Sequence, residues 1–411
     1  MFYKKTFLSL LILIFPLTSV LAPPVVNASV QPGQVLVKFK TTTGDKITVF
    51  ASVHNLTNLS PSNRLSKSNY VLFQINDNLD VNEKVLELKK DRLVRFAQPN
   101  YVFDALKKAK TRELTKDRFM SKEWWLYNNG RIGSAGSDLG IANVWSKENK
   151  SWRNIPIGII DSGINLKNND LKKNILKGYD FVHGTGKTMP DKEGHGSFIA
   201  GLIASRVNNK LGIAGLSRLN KLKIMPLKFN FTTDEATEAI TYAKSKGVRI
   251  INASWGTTDF DQALYDSIKN FDGLVVTASG NDGKEHTENN KFYPCDFDLE
   301  NVICVGASDA SDQMASYSDW GVNVDLLAPG GEENSPLISL DIGSNKYIEA
   351  IGTSFSAAFV SGAAGIELAK NPNLSPLELK NLILTSVRIK EFLTGKVVTG
   401  GILNIGMLIE K

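Results

Sequence analysis

From about residue 155 onward, short continuous apolar runs alternate with segments whose apolar residues recur at three- and four-residue spacing. The runs 155–160, 222–227, 248–253, 273–278 and 301–305 predict strands buried on both faces. Segments 196–207, 233–246, 259–270, 355–370 and 375–386 predict helices, the second opened by Thr233 and stopped by Gly247. Strand and helix in alternation predict a parallel sheet covered on both faces.

Upstream the pattern changes. Residues 35–40 alternate like a strand, 70–75 predict a second, and 93–96 and 101–103 two more. Positions 81, 85, 86 and 88 form a helical apolar stripe within 81–90, which Asp80 is placed to cap, and another helix is expected near 48–59. These elements predict a small α+β unit of ferredoxin-like type. Residues 105–121, rich in Lys, Arg and Glu and without an apolar face, read as an exposed linker of the kind that proteases nick.

A chain of 411 residues exceeds one average domain, in keeping with two folded units. Lys4 and Lys5 precede an apolar run to Leu21, and Val26-Asn27-Ala28 offers small residues for cleavage, so 1–28 reads as an export signal. Pro16, Pro23 and Pro24 shorten its apolar span below the ~20 residues a membrane helix needs. No second apolar span follows Ile409, so no membrane anchor is expected.

The net charge of +6 is unevenly placed. Residues 29–110 hold 13 Lys and Arg against 7 Asp and Glu, whereas 111–411 hold 33 against 35. The excess lies in segments expected to be removed, which argues against a nucleic-acid partner. Cys295 and Cys304, the only cysteines, read as a disulfide in an exported chain, or otherwise as two packed thiols.

Three short motifs carry the chemistry. Ile160-Asp161-Ser162-Gly163 ends a buried strand, Gly194-His195-Gly196-Ser197 opens a helix, and Gly352-Thr353-Ser354 opens another. Taken alone, Ser354 reads as an N-cap and Asp161 as a turn acid. In the order Asp, His, Ser, the motifs resemble those of the subtilisin-like serine proteases, and Ala278-Ser279-Gly280-Asn281 resembles that family's oxyanion segment. Of four histidines, only His195 has glycines on both sides and a helix behind it.

The resemblance covers roughly 124–408, where Trp124-Trp125-Leu126-Tyr127-Asn128-Asn129-Gly130 resembles the start of a mature domain. It implies a doubly wound α/β fold with the site at the carboxyl ends of the strands. It also implies Ser354 as nucleophile, His195 as base, Asp161 as the group orienting the imidazole, and Asn281 as oxyanion donor. Ser254, Trp255 and Gly256 would pair with substrate, Trp255 being either a pocket wall or a core aromatic. Phe292 would make the primary pocket shallower. The loop 207–213 resembles a calcium loop, implying Ca²⁺ held by Val207, Asn209, Leu211 and Ile213 with Asp170 and Glu123; a plain turn is the alternative. Gln98-Pro99-Asn100-Tyr101 resembles the close of an inhibitory, chaperoning propeptide.

Four positions depart from the family pattern. Ser197 stands for Thr, Phe198 for a second His, Phe355 for Met and Ala358 for Pro. None removes a proton-transfer or oxyanion group, though the two phenylalanines are expected to crowd the site. An α/β-hydrolase esterase would need Gly where Ser356 stands. The expectation is a secreted, monomeric, calcium-assisted serine endopeptidase organised as signal 1–28, propeptide 29–110 and catalytic domain 111–411. Its partners would be peptide or protein substrates and its own propeptide. The rivals are a dedicated leader-peptide processing protease and a non-catalytic binding protein of the same fold.

Overall fold

The computed structural model describes residues 30–40, 44–60, 70–102, 104–105, 109–114, 119–186 and 191–411. The expected export signal lies outside the described residues.

The N-terminal unit runs β1 (Val30–Phe39), α1 (Gly44–Val53), β2 (Leu56–Asn58), β3 (Tyr70–Ile75), α2 (Val81–Leu88) and β4 (Val94–Tyr101). Its sheet has the order β2-β3-β1-β4, with all pairs antiparallel. Alternation puts Val35, Val37, Val71, Phe73 and Ala97 under the two helices, around Phe39, Phe50 and Leu88. Asp80 caps α2 in a capping box with Glu83. The two strands expected at 93–96 and 101–103 are one, because β4 pairs along β1 from Val94 to Tyr101.

Within and beside the segment expected to be an open linker, the described residues form two short strands, β5 (Asp104–Ala105) and β6 (Ala109–Leu114). Low local apolarity does not prevent a chain from adding to an exposed sheet edge, where the backbone supplies the bonds.

The larger unit comprises α3 (Ile141–Lys147), β7 (Ile155–Asp161), β8 (Tyr179–Asp180), α4 (His195–Ala204), β9 (Leu222–Lys228), α5 (Thr233–Ser245), β10 (Ile250–Ala253), β11 (Trp255–Gly256), α6 (Gln262–Lys269) and β12 (Leu274–Ala278). It continues with β13 (Glu285–His286), β14 (Val302–Ser308), β15 (Trp320–Gly321), β16 (Leu326–Pro329), β17 (Leu337–Leu340), β18 (Tyr347–Ile351), α7 (Thr353–Lys370), α8 (Pro376–Leu384), β19 (Val387–Ile389), β20 (Gly401–Leu403) and α9 (Ile405–Leu408). The main sheet has the order β19-β20-β16-β14-β12-β10-β7-β9-β8 and is parallel except for β19. One apolar core lies on the α4/α7 face, another beneath α5 and α6.

From Thr353 to Ala369 every residue of α7 is buried, which its small side chains permit as it crosses the sheet. The N-terminal sheet lies on α5 and α6. Leu36, Tyr70 and Leu72 pack with Ala263. Gln98 sits over the start of α6, its Nε2 donating to Asp261 at 2.8 Å and its Oε1 accepting from Ala263 N–H at 3.1 Å. Lys38 pairs with Asp266 at 3.0 Å. No helix among the described residues is long and apolar enough to cross a membrane.

Candidate active site

Strands β7, β10 and β12 are neighbours, and their carboxyl ends deliver Asp161, Ser254 and the Ser279–Asn281 turn to one edge of the sheet. Helices α4 and α7, packed against each other, begin at the same edge with His195 and Thr353-Ser354. His195 Nδ1 lies 2.9 Å from each oxygen of Asp161. A carboxylate only accepts, so Nδ1 carries the hydrogen and the neutral ring keeps Nε2 as its basic nitrogen. Both side chains are buried, which concentrates their mutual attraction.

The approach of α4 to this acid depends on its entry turn. Asp191 accepts from the N–H groups of Glu193 (3.0 Å), Gly194 (2.7 Å) and Ser197 (2.9 Å), satisfying donors that a helix start leaves open. Ser162 Oγ lies 2.9 Å from Asp191 and 3.1 Å from Asp161, joining the two loops. A side chain at Gly196 would meet Gly163 O at 2.2 Å, so only glycine permits this contact.

Ser354 stands in the first turn of α7, 1 % exposed, with Oγ 3.4 Å from the Ser254 carbonyl oxygen. Ser254 Oγ donates to the Ser354 carbonyl at 2.9 Å and accepts from Asn252 Nδ2 at 2.9 Å. The Ser254 side chain thus braces the turn that carries Ser354. Asn281 Oδ1 accepts from Thr353 N–H at 3.0 Å and lies 2.8 Å from Thr353 Oγ1. With the oxygen so engaged, Nδ2 remains as a donor beside Gly352.

Trp255 is a core aromatic. It is 0 % exposed, its Nε1–H donates to the Ile160 carbonyl at 2.7 Å, and its ring packs on Phe229. What this strand offers outward is its backbone edge, where Trp255 pairs with Ala105 and Gly256 with Asp104, antiparallel. β18, which leads into Ser354, pairs with β6, bringing Ile351 opposite Ala109. The Phe292 ring lies against Gly256, where an added Cβ would come within 2.6 Å of it.

Phe198 and Phe355 do not crowd the cleft. Their rings pack at 4.1 Å in the core, 0 % and 1 % exposed, and Phe355 backs the His195 ring at 5.9 Å. Each fills the space beside the other.

Asp170, Glu123 and the 207–213 loop also meet. Asp170 Oδ2 accepts from Ile213 N–H at 3.0 Å and Tyr347 Oη at 3.1 Å, and its Oδ1 faces the Asn209 amide. Glu123 accepts from Ala214 N–H at 2.9 Å. Burial pushes the Asp170 carboxyl up despite these bonds, and burial followed by the Asp170 charge pushes Glu123 well up. Among the described residues, no N–H or O–H donates to the carbonyls of Val207, Leu211 or Ile213. Two buried acids beside three such carbonyls fit a hard divalent cation.

A family-wide sequence model described as the subtilase family matches residues 153–401, and one described as the fervidolysin N-terminal prodomain matches 21–100. Subtilisin DY of Bacillus licheniformis is 33% identical over 233 residues, 56% of this chain and 81% of that protein. The chain belongs to the subtilase family. The thermophilic serine proteinase of Bacillus sp. (strain AK1) is 29% identical over 351 residues, 83% of this chain and 79% of that protein.

Among solved structures, fervidolysin from Fervidobacterium pennivorans superposes with a TM-score of 0.70 at 18% identity, covering 93% of this chain and 61% of that one. The epidermin leader peptide processing serine protease from Staphylococcus aureus gives 0.69 at 19%, covering 92% and 98%. This subtilase is a serine endopeptidase of α/β fold carrying an N-terminal prodomain.

Sequence reading passed over Thr353 and Asp191. An acid four residues ahead of His195, just before a predicted helix, was a readable cap signal. Thr353 had none, because its partner lies 72 residues away.

Proposed function

We propose that this subtilase hydrolyses peptide bonds through Ser354, His195 and Asp161, with Asn281 Nδ2 and the Ser354 N–H receiving the oxyanion. The observation that carries this reading is the Asp161–His195 pair, buried and aligned at the sheet edge where α7 begins with Ser354. Ser354 Oγ attacks the scissile carbonyl while His195 Nε2 takes its proton. The imidazolium, stabilised by Asp161, then protonates the leaving amine, and water repeats the sequence on the acyl-enzyme.

In the same reading the protein is exported, 29–110 acts as propeptide, and the enzyme cuts its own chain between Ala105 and Ala109. Asp104–Ala105 pairs with β11, which follows Ser254, and Ala109 pairs with Ile351, just ahead of Ser354, which supports a cut in cis there. Asp170, Glu123, Asn209 and the carbonyls of Val207, Leu211 and Ile213 would hold Ca²⁺. The ion would supply structural charge neutralisation, with no part in bond cleavage.

The test is secretion of the wild type and of Ser354→Ala by a host lacking other extracellular proteases, with intact mass and fluorophosphonate labelling. The wild type should label and lose its propeptide. Ser354→Ala should do neither, and labelling of the variant would overturn the assignment.

A further inference from the structure

The turn that presents Asn281 is closed by a histidine outside the triad. His286, its side chain 1 % exposed, turns back so that Nε2 lies 2.9 Å from the Ser279 carbonyl oxygen. Its Nδ1 lies 3.0 Å from Asp296 Oδ2. One imidazole therefore joins the two ends of the 279–286 segment and ties it to the segment after Phe292. Asp296 also accepts from Phe292 N–H at 2.6 Å and from Asn323 Nδ2 at 2.7 Å.

Both neighbours of the ring are acceptors, a carbonyl and a carboxylate held by N–H donors, so both ring nitrogens carry hydrogen. Burial alone would draw the imidazole's pKa down. The bond to Asp296, its charge, the Asp319 charge and the Ser279 carbonyl together hold it above its ordinary value. Burial likewise raises Asp296, but His286 and the N–H donors keep it below the usual carboxylate range.

The charged surroundings are Asp296 on one side and Asp319, just before β15, on the other. Asp319 Oδ1 accepts from Asp282 N–H at 3.0 Å and Lys284 N–H at 2.7 Å, pinning the same turn, and Lys284 pairs with Asp282 at 3.0 Å. Cys295 Sγ lies 3.7 Å from Nδ1 but is bonded to Cys304, so it brings neither a proton nor a metal-binding thiolate.

We propose that doubly protonated His286 is a positioning residue for peptide hydrolysis: it closes the turn presenting Asn281 and, through Asp296, couples it to the Phe292 backbone. The proposal rests on the protease reading. Because the folded state holds the proton more tightly than free imidazole does, the clip persists above the pH at which a free imidazole loses its proton. It opens as pH rises through the folded pKa, and the turn presenting Asn281 then keeps only its bonds to Thr353 and Asp319.

The experiment is the pH profile of kcat and KM on a peptide amide, using the mature wild type, Asp296→Asn and His286→Gln. Asp296→Asn keeps an oxygen for Phe292 N–H but removes the charge that retains the proton. Its alkaline fall in kcat should move down by about one pH unit or more. His286→Gln should lower kcat about tenfold or more with little change in KM, and lose that alkaline fall. An alkaline limb unmoved in both variants overturns the proposal.

Should His286→Gln not fold, Asp296→Asn still decides. Full-length Ser354→Ala, which needs no activity, gives a separate readout by histidine-selective NMR, its four histidines being few enough to assign. A His286 ring that is neutral at pH 6 overturns the proposal. An imidazolium persisting above the ordinary range in a protein whose wild type cleaves no peptide would count against the protease reading alone.

Discussion

Asn281 gives its amide oxygen to Thr353, accepting from the backbone N–H at 3.0 Å with Oγ1 at 2.8 Å. That pairing decides which end of the amide is left for a substrate. Asn281→Ala should therefore lower kcat far more than KM, since its donor is used only as charge develops on the carbonyl oxygen. The loss expected is the ~10²–10³ known for the equivalent asparagine of subtilisin, a value taken over from that enzyme. Thr353→Val, which keeps the N–H bond and removes Oγ1, should lose less. Steady-state kinetics on one peptide amide distinguishes the two, and a change confined to KM counts against the oxyanion role.

Removing calcium should lower the thermal midpoint of the mature enzyme. A raised carboxyl pKa in the folded state favours folding at acid pH, and that contribution is lost as pH rises through the folded value. A cation binds the ionised acids, so its stabilisation should grow with pH. Scanning calorimetry with and without chelator at pH 5 and pH 8 should give the larger gap at pH 8. Equal midpoints at both values would remove the ion from this picture.

Phe355→Ala should destabilise the protein by about 3–5 kcal/mol, because it opens a cavity between Phe198 and His195 in a core with no slack. Phe355→Leu should cost less. Denaturant unfolding in the Ser354→Ala background, where no self-digestion occurs, measures both. A midpoint unchanged in Phe355→Ala would mean that the aromatic pair does not support the imidazole.

Gln98→Ala in the propeptide should weaken its hold on the catalytic domain. The side chain bonds both buried Asp261, which keeps Leu264 N–H and Thr233 as partners, and the Ala263 N–H at the start of α6, and leaving that N–H unpaired costs about 1–3 kcal/mol. That corresponds to roughly a 5- to 150-fold rise in the inhibition constant of the propeptide on mature enzyme. An unaltered constant would assign the affinity to the apolar contacts of Leu36, Tyr70 and Leu72 instead.

Sequence alone determined the elements on which Asp161, His195 and Ser354 stand, because those signals are local. A buried apolar run ending in Asp161, a glycine-flanked His195 before a helix and a small-residue helix behind Ser354 each declare themselves within a dozen residues. Asp80 with Glu83 was equally readable as a helix start, and α2 begins there.

Tertiary structure decided everything that depends on a partner distant in the chain. Residues 104–105 and 109–114 lack any apolar period, yet they become strands because β11 and β18 present edges with which they pair. Trp255 turns inward because its N–H finds the Ile160 carbonyl 95 positions away. Phe198 and Phe355 look obstructive singly, and packing makes them a matched pair at 4.1 Å. Nothing local marks His286; it is the fold that brings Asp296 and the Ser279 carbonyl to its two nitrogens. Periodicity and caps are written in neighbouring residues, whereas a side chain's direction and protonation are set by whatever the completed fold places against it.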